Sequence, residues 1–206
     1  MPSINTHMAF AKILHFKLSE NLENNYFLLG NIAPDCFLHR NNNYLDYKAH
    51  YKSSVNSNCQ CELFLRDKCL DVTEKERSFI LGYYSHLWLD NYVNENGHIL
   101  RSSMLVNGNN EEAKEKFLKD LLFYDNKIID NKLNVEKINK TIFKDFKNYY
   151  VVSEKDMKMI FNEYVILLKE SSKHSNFLVL KEKNYISFLT LASSKLSKVI
   201  RNIENI

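Results

Sequence analysis

His86 and Asp90 stand four residues apart in the segment FILGYYSHLWLDNY. In a helix that spacing puts both side chains on one face, one turn above the other. Apolar residues surround them on every side, from Phe79 to Val93, so the helix is expected to be buried. A buried carboxylate needs a hydrogen-bond partner, an opposite charge or a cation. A metal ion would satisfy both groups, and a His–Asp hydrogen bond in the core would do so equally well on this pair alone. Groups of the same chemistry lie upstream: His7 near the start of the first amphipathic segment, Asp35 after Pro34, and His50 further on in a stretch poor in regular structure. Imidazole and carboxylate together suit zinc, whereas magnesium and calcium prefer oxygen alone. Gly82 falls one turn before His86 on the same face. Its missing side chain leaves room for a ligand or for the close approach of another helix.

The other chemically active residues carry less. His15 lies two turns after His7, where solvent, core or a place behind a ligand are the options. His98 follows Asp90 at the distance where a further ligand would be sought, but directly after Gly97, a helix break. His39 and His174 fall in polar stretches and are expected at the surface. Cys36, Cys59, Cys61 and Cys69 are expected to be free thiols, with Cys69 partly packed. Their Cys-x-Cys spacing is not that of the common zinc modules. Tyr83 and Tyr84 flank the His/Asp pair and could orient a phosphate, with core packing expected for at least one of them.

These groups need a scaffold, and the composition specifies helices. Two prolines and four glycines in 206 residues leave long helices uninterrupted and disfavour an all-β sandwich. We expect a single all-α domain over residues 1–206, with about seven or eight helices around the buried helix of His86 and Asp90. The first helix should run from a cap at Ser3 or Asn5 to about Leu18, burying Met8, Phe10, Ala11, Leu14 and Leu18. A short helix over Leu22–Leu29 should end at Gly30 as its C-cap. Pro34 then makes Asn31–Tyr47 a loop carrying Asp35. After a helix near Asn58–Cys69, Thr73 and Glu76 form a capping box that opens the buried helix. Further helices are expected at 111–124, 134–147, 153–172 and 185–203, the last with Ile186, Leu189, Leu196, Val199, Ile200 and Ile203 as its apolar stripe. A net charge of +3 is too small to argue for a nucleic-acid or membrane partner. The start of the chain lacks the features of a secretory signal and no stretch is apolar enough to span a membrane, so the expected compartment is the cytoplasm.

In order and approximate spacing, INTHMAFAKIL, LGNIAPDCF, KAHYKS and FILGYYSHLWLDNY resemble the ligand-bearing segments of bacterial zinc-dependent phospholipase C proteins, a superfamily that also includes single-strand-specific zinc nucleases. The resemblance spans residues 3 to about 93. It implies that Asp35, His50, His86 and Asp90 hold one zinc and that His7 holds a second, sharing Asp90. It also implies hydrolysis of a phosphoester, most simply a phosphodiester, by water whose pKa zinc lowers to about 7, with Asp35 as general base as well as ligand. Two departures stand out. Met1 and Pro2 occupy the place of a tryptophan whose amino group binds metal in the secreted enzymes, and no histidine here has a glutamate four residues later, as a further zinc site in those enzymes requires. The alternative is a non-catalytic module of the same fold that zinc stabilises. The other large helical metal-phosphohydrolase group needs an adjacent His-Asp dipeptide, and no histidine here is followed by aspartate.

Overall fold

Thr73 opens the central helix as its sequence predicts. The Glu76 N–H donates to Thr73 Oγ1 at 3.3 Å and the Thr73 N–H donates back to the Glu76 carboxylate at 2.9 Å. The computed structural model describes residues 2–18, 22–37, 43–54, 56–68, 72–108, 110–129, 152–170 and 179–204. Among them are nine α-helices and no strand: α1 (Ile4–His15), α2 (Asn24–Ile32), α3 (Asn43–Ala49), α4 (Cys61–Lys68), α5 (Glu74–Asn96), α6 (His98–Val106), α7 (Glu111–Ile129), α8 (Glu154–Glu170) and α9 (Glu182–Glu204). A 3-10 turn, Ala33–Phe37, continues α2. No helix among the described residues is long and apolar enough to cross a membrane.

The α5 side chains Phe79, Ile80, Leu81, Tyr83, Tyr84, Leu87 and Leu89 are all buried, as an apolar surface on every side requires. The closest packing is against α2. A Cβ on Gly82 would lie 2.0 Å from the Phe27 carbonyl oxygen, and one on Gly30 would lie 2.0 Å from that of Phe79. The two backbones touch because neither position carries a side chain. Gly82 thus serves helix approach, and Gly30 is an interior contact residue of α2 rather than its C-cap. On the α1 side, Met8, Phe10, Ala11, Leu14 and Leu18 are buried as expected, although the helix itself ends at His15.

The segment after α2 departs from expectation. Pro34 occupies the second position of the 3-10 turn, a first-turn place where its missing N–H costs nothing. Asp35 therefore sits on a turn that extends α2, and α3 makes the later part of Asn31–Tyr47 helical. Gly97 adopts a right-handed helical conformation, with φ −63° and ψ −16°, and links α5 to α6, a helix the sequence did not announce. In α9, Leu189, Leu196 and Ile200 are buried but Ile186 is exposed, so the core-facing stripe excludes it. The helix expected at 134–147, Cys69, His39, His174 and the Ile203 side chain lie outside the described residues.

Candidate metal centre

Four elements converge on the His/Asp cluster. The turn after α2 brings Asp35, the end of α3 brings His50, α5 brings His86 and Asp90, and the first turn of α1 brings His7. His50 owes its position to a helix end. The Lys52 N–H donates to the Tyr47 carbonyl at 2.9 Å and the Tyr51 N–H to that of Lys48 at 3.1 Å, while Tyr51 is left-handed with φ 50°. This is a Schellman cap in which His50 is the last half-helical residue. The Tyr83 hydroxyl donates to the Ala49 carbonyl at 2.5 Å and ties that helix end to α5.

The donor atoms form a compact set. His50 Nε2 lies 3.2 Å from His86 Nε2. Asp35 Oδ1 is 3.5 Å from His50 Nε2 and 3.7 Å from His86 Nε2; Asp90 Oδ2 is 3.8 and 3.9 Å from the same two atoms. Zinc–nitrogen and zinc–oxygen bonds of about 2.0–2.1 Å imply tetrahedral edges of about 3.3–3.4 Å, close to these separations. His7 adds Nε2 at 3.5 Å from Asp90 Oδ1, and its ring stacks on that of His86 with centroids 3.6 Å apart. Two triads, Asp35–His50–His86 and His7–His86–Asp90, therefore place ligand atoms within 4.8 Å of one another.

Hydrogen bonds on the far side of the rings fix what these atoms offer. His86 Nδ1 lies 2.8 Å from the Asn31 carbonyl and His50 Nδ1 lies 2.9 Å from the Asp46 carbonyl. A carbonyl can only accept, so both Nδ1 atoms carry a proton, and in the neutral imidazole each Nε2 presents its lone pair toward the other. Two facing lone pairs flanked by two carboxylate oxygens form a pocket that calls for a cation. The carboxylates favour positive charge at this point, whether a proton or a metal ion. Burial disfavours charge on His50, yet hydrogen bonds to Asp35 and Asp46 and the charges of Asp35 and Asp90 outweigh it and push its pKa up to about 10. Burial and the stacked His7 drive His86 the other way, down to about 3. Burial would raise both carboxyls. The neighbouring His86 and His50 hold Asp35 below the usual range nonetheless, and His7 and His86 do the same for Asp90.

All five residues singled out from the sequence, His7, Asp35, His50, His86 and Asp90, meet here and are buried. The other candidates stand apart. His98 is exposed with Nδ1 near the Glu95 carbonyl, and half-buried His15 lies against Phe27 and the Leu22 carbonyl. Tyr84 donates its hydroxyl to Glu62, and both tyrosines are core residues. Cys36, Cys59 and Cys61 are buried free thiols. Cys59 Sγ lies 4.0 Å from Asp90 Oδ2, where burial and the Asp90 charge raise its pKa and keep it protonated.

Three neighbours escaped the sequence reading. The Asn31 carbonyl orients His86, Asp46 orients His50, and Lys52 Nζ reaches within 3.7 Å of Asp90 Oδ2. Asp46 stands four residues before His50, the same helical spacing as His86 and Asp90, but a stretch taken for loop hid that signal.

The sequence model of the family described as zinc dependent phospholipase C matches residues 6–205. No curated protein and no solved structure matches the chain. The family match covers nearly the whole length, including all five clustered residues, and the chain belongs to the zinc-dependent phospholipase C family.

Proposed function

We propose that this chain is a zinc-dependent phosphoesterase acting most simply on a phosphodiester, with Asp35, His50, His86 and Asp90 holding one zinc and His7 with Asp90 a second. The observation that carries the proposal is the pair of Nε2 atoms 3.2 Å apart beside two carboxylate oxygens. Zinc bound there would acidify a water molecule and offset charge on phosphoryl oxygens. Asp90 divides its oxygens between the two sets, with Oδ1 toward His7 and Oδ2 toward His50 and His86. Asp35 turns Oδ1 to the histidines and leaves Oδ2 buried without a hydrogen-bond partner, an acceptor suited to taking a proton from the attacking water. Against burial, the neighbouring His86 and His50 hold its pKa down, so it is ionised for that role.

A second reading, a non-catalytic module that zinc stabilises, draws on burial: none of the five side-chain-bearing residues is more than 3% exposed. One experiment separates the two. Zinc content of the purified protein is measured together with hydrolysis of aryl phosphodiesters and phosphomonoesters. Zinc-loaded, folded protein inert toward the whole panel would favour the structural module, and protein without zinc would overturn the ligand set.

A further inference from the structure

We infer that a cavity between the first turn of α1, the end of α5 and helices α6 to α9 binds a fatty acid, with the carboxylate at its rim and the chain inside, as a site separate from the metal centre.

The cavity measures about 530 Å³, within the range of small-molecule sites. Most of its wall is apolar, with Leu100 and Met104 from α6, Phe117 and Leu121 from α7, and Phe188 and Leu189 from α9. Thr6 and Tyr185 are the buried polar residues in the wall, and they mark its inner end. Neither hydroxyl offers a free proton there. Thr6 donates its own to Asp125 at 2.8 Å, and Tyr185 donates to the other oxygen of the same carboxylate. An anion pushed to this end would lose its hydration and find no donor, whereas a hydrocarbon chain loses nothing.

The charged residues of the wall fix the sign of the head group. Among the described residues they are Arg101 and Lys114, both cationic, and no carboxylate joins them. Both are exposed, so positive charge stands where the cavity meets solvent, next to Leu118, which is 62% exposed. Lys114 already reaches Glu111 at 2.6 Å, which leaves Arg101 as the principal anchor. An exposed guanidinium makes no demand of its own. At the rim of an apolar cavity, however, it holds paired N–H donors in the geometry of a carboxylate's two oxygens. A neutral head group forgoes that bond, and a cationic one is repelled. Burial of the chain then supplies most of the affinity.

The site borders the metal centre and shares none of its donors. Thr6 precedes His7 and Val93 lies three residues after Asp90, yet none of the five clustered residues is in the wall. The inference therefore does not depend on the zinc reading.

The test is titration calorimetry of the full chain with laurate, decanoate and octanoate, and with decanol as the uncharged counterpart of decanoate. Wild type is compared with Arg101→Gln, Leu118→Glu and Asp35→Asn. Arg101 and Leu118 are exposed, so their variants should fold, which melting temperatures verify. Laurate should bind, and each methylene removed should weaken binding by up to about fourfold. Arg101→Gln should weaken decanoate by roughly tenfold and leave decanol unmoved. Leu118→Glu, which sets a carboxylate at the rim, should weaken decanoate as well, and Asp35→Asn should not. The inference is overturned if laurate does not bind, if affinity ignores chain length, if decanol binds as tightly as decanoate, or if both rim variants keep wild-type affinity. Affinity that falls in Asp35→Asn and holds in Arg101→Gln would put the acid on the metal centre and overturn it equally.

Discussion

Gly82→Ala adds one methyl group at the contact of α5 with α2, and helix propensity and packing give opposite signs for its effect. Inside an exposed helix, alanine is worth about 1 kcal/mol more than glycine. At this position the new Cβ would lie 2.0 Å from the Phe27 carbonyl oxygen, 2.8 Å from its carbon and 3.0 Å from the Asn31 nitrogen. All three are backbone atoms and cannot rotate away. The shortest contact falls about 1.4 Å below the 3.4 Å at which ordinary contact begins, so the helices must part by about an ångström. Overpacking costs typically 1–3 kcal/mol; taking about 3 for an unyielding neighbour leaves a net loss of about 2 kcal/mol, or roughly 4–8 °C in melting temperature for a chain of this size.

The metal centre should register the same movement. His86 lies one turn along α5 from Gly82, and its Nδ1 is held by the Asn31 carbonyl of α2 at 2.8 Å. Parting the helices stretches that bond toward 4 Å, beyond useful range. It also carries away Asp35, whose turn extends α2. Zinc affinity should fall by about tenfold or more, as it does when the group orienting a ligand is lost. Gly30→Ala makes the same contact from the other side, and the double variant should cost less than the sum, because the helices need part only once. Thermal melts followed by circular dichroism, with zinc measured after dialysis, decide the matter. A Gly82→Ala variant that melts at or above the wild-type temperature with its zinc intact would refute the reasoning.

Two other perturbations test groups around the centre. Tyr83→Phe leaves the buried Ala49 carbonyl without its 2.5 Å donor and should cost roughly 1–3 kcal/mol in urea unfolding while loosening His50; an unmoved urea midpoint would contradict that assignment. Asp125 is fully buried, and burial pushes its pKa up to about 7 although the hydroxyls of Tyr185, Thr6 and Ser3 oppose the rise. The folded state thus keeps a proton that the unfolded chain releases near pH 4, so this group's contribution is complete below pH 4 and declines as pH rises to about 7, by roughly 2–4 kcal/mol. Asp125→Asn should remove that slope, and wild type and variant losing stability in parallel between pH 4 and 7 would count against it.

What the sequence disclosed follows from how local each signal is. A capping box, apolar residues on every side and a His/Asp pair one turn apart identify α5 and half of the site within a single helix. Asp35, His50 and His7 have no such local pattern, because what unites them is the packing of α1, α2, α3 and α5. Gly30 shows the limit of local reasoning. A glycine at the end of an apolar run usually caps a helix, and only the proximity of α5 reveals that its missing Cβ serves contact. The asparagine-rich stretch before Asp46 has no apolar period, so α3 went unannounced, and with it the spacing that ties Asp46 to His50. Lysine is usually solvated, so nothing local in the sequence places Lys52 Nζ within 3.7 Å of Asp90 Oδ2.

The donor inventory makes the two proposed metal positions unequal. His50 Nε2, His86 Nε2, Asp35 Oδ1 and Asp90 Oδ2 already make the four-ligand set of a structural zinc. His86 cannot serve both positions, because Nδ1 is engaged with Asn31 and Nε2 has one lone pair. The second position is left with His7 and Asp90 Oδ1, few ligands and therefore weak retention, but with room for water and substrate. The two ions should then leave in separate stages under a chelator. The first stage should abolish hydrolysis with little change in melting temperature, and the second should lower the melting temperature as the four-donor set empties. His7→Ala should reproduce the first stage, with one zinc, near wild-type melting and no turnover. Asp90→Ala should lose both ions, because each set uses one of its oxygens. If His7→Ala hydrolyses substrate at the wild-type rate, the chemistry belongs to the four-donor set and this division of labour is wrong.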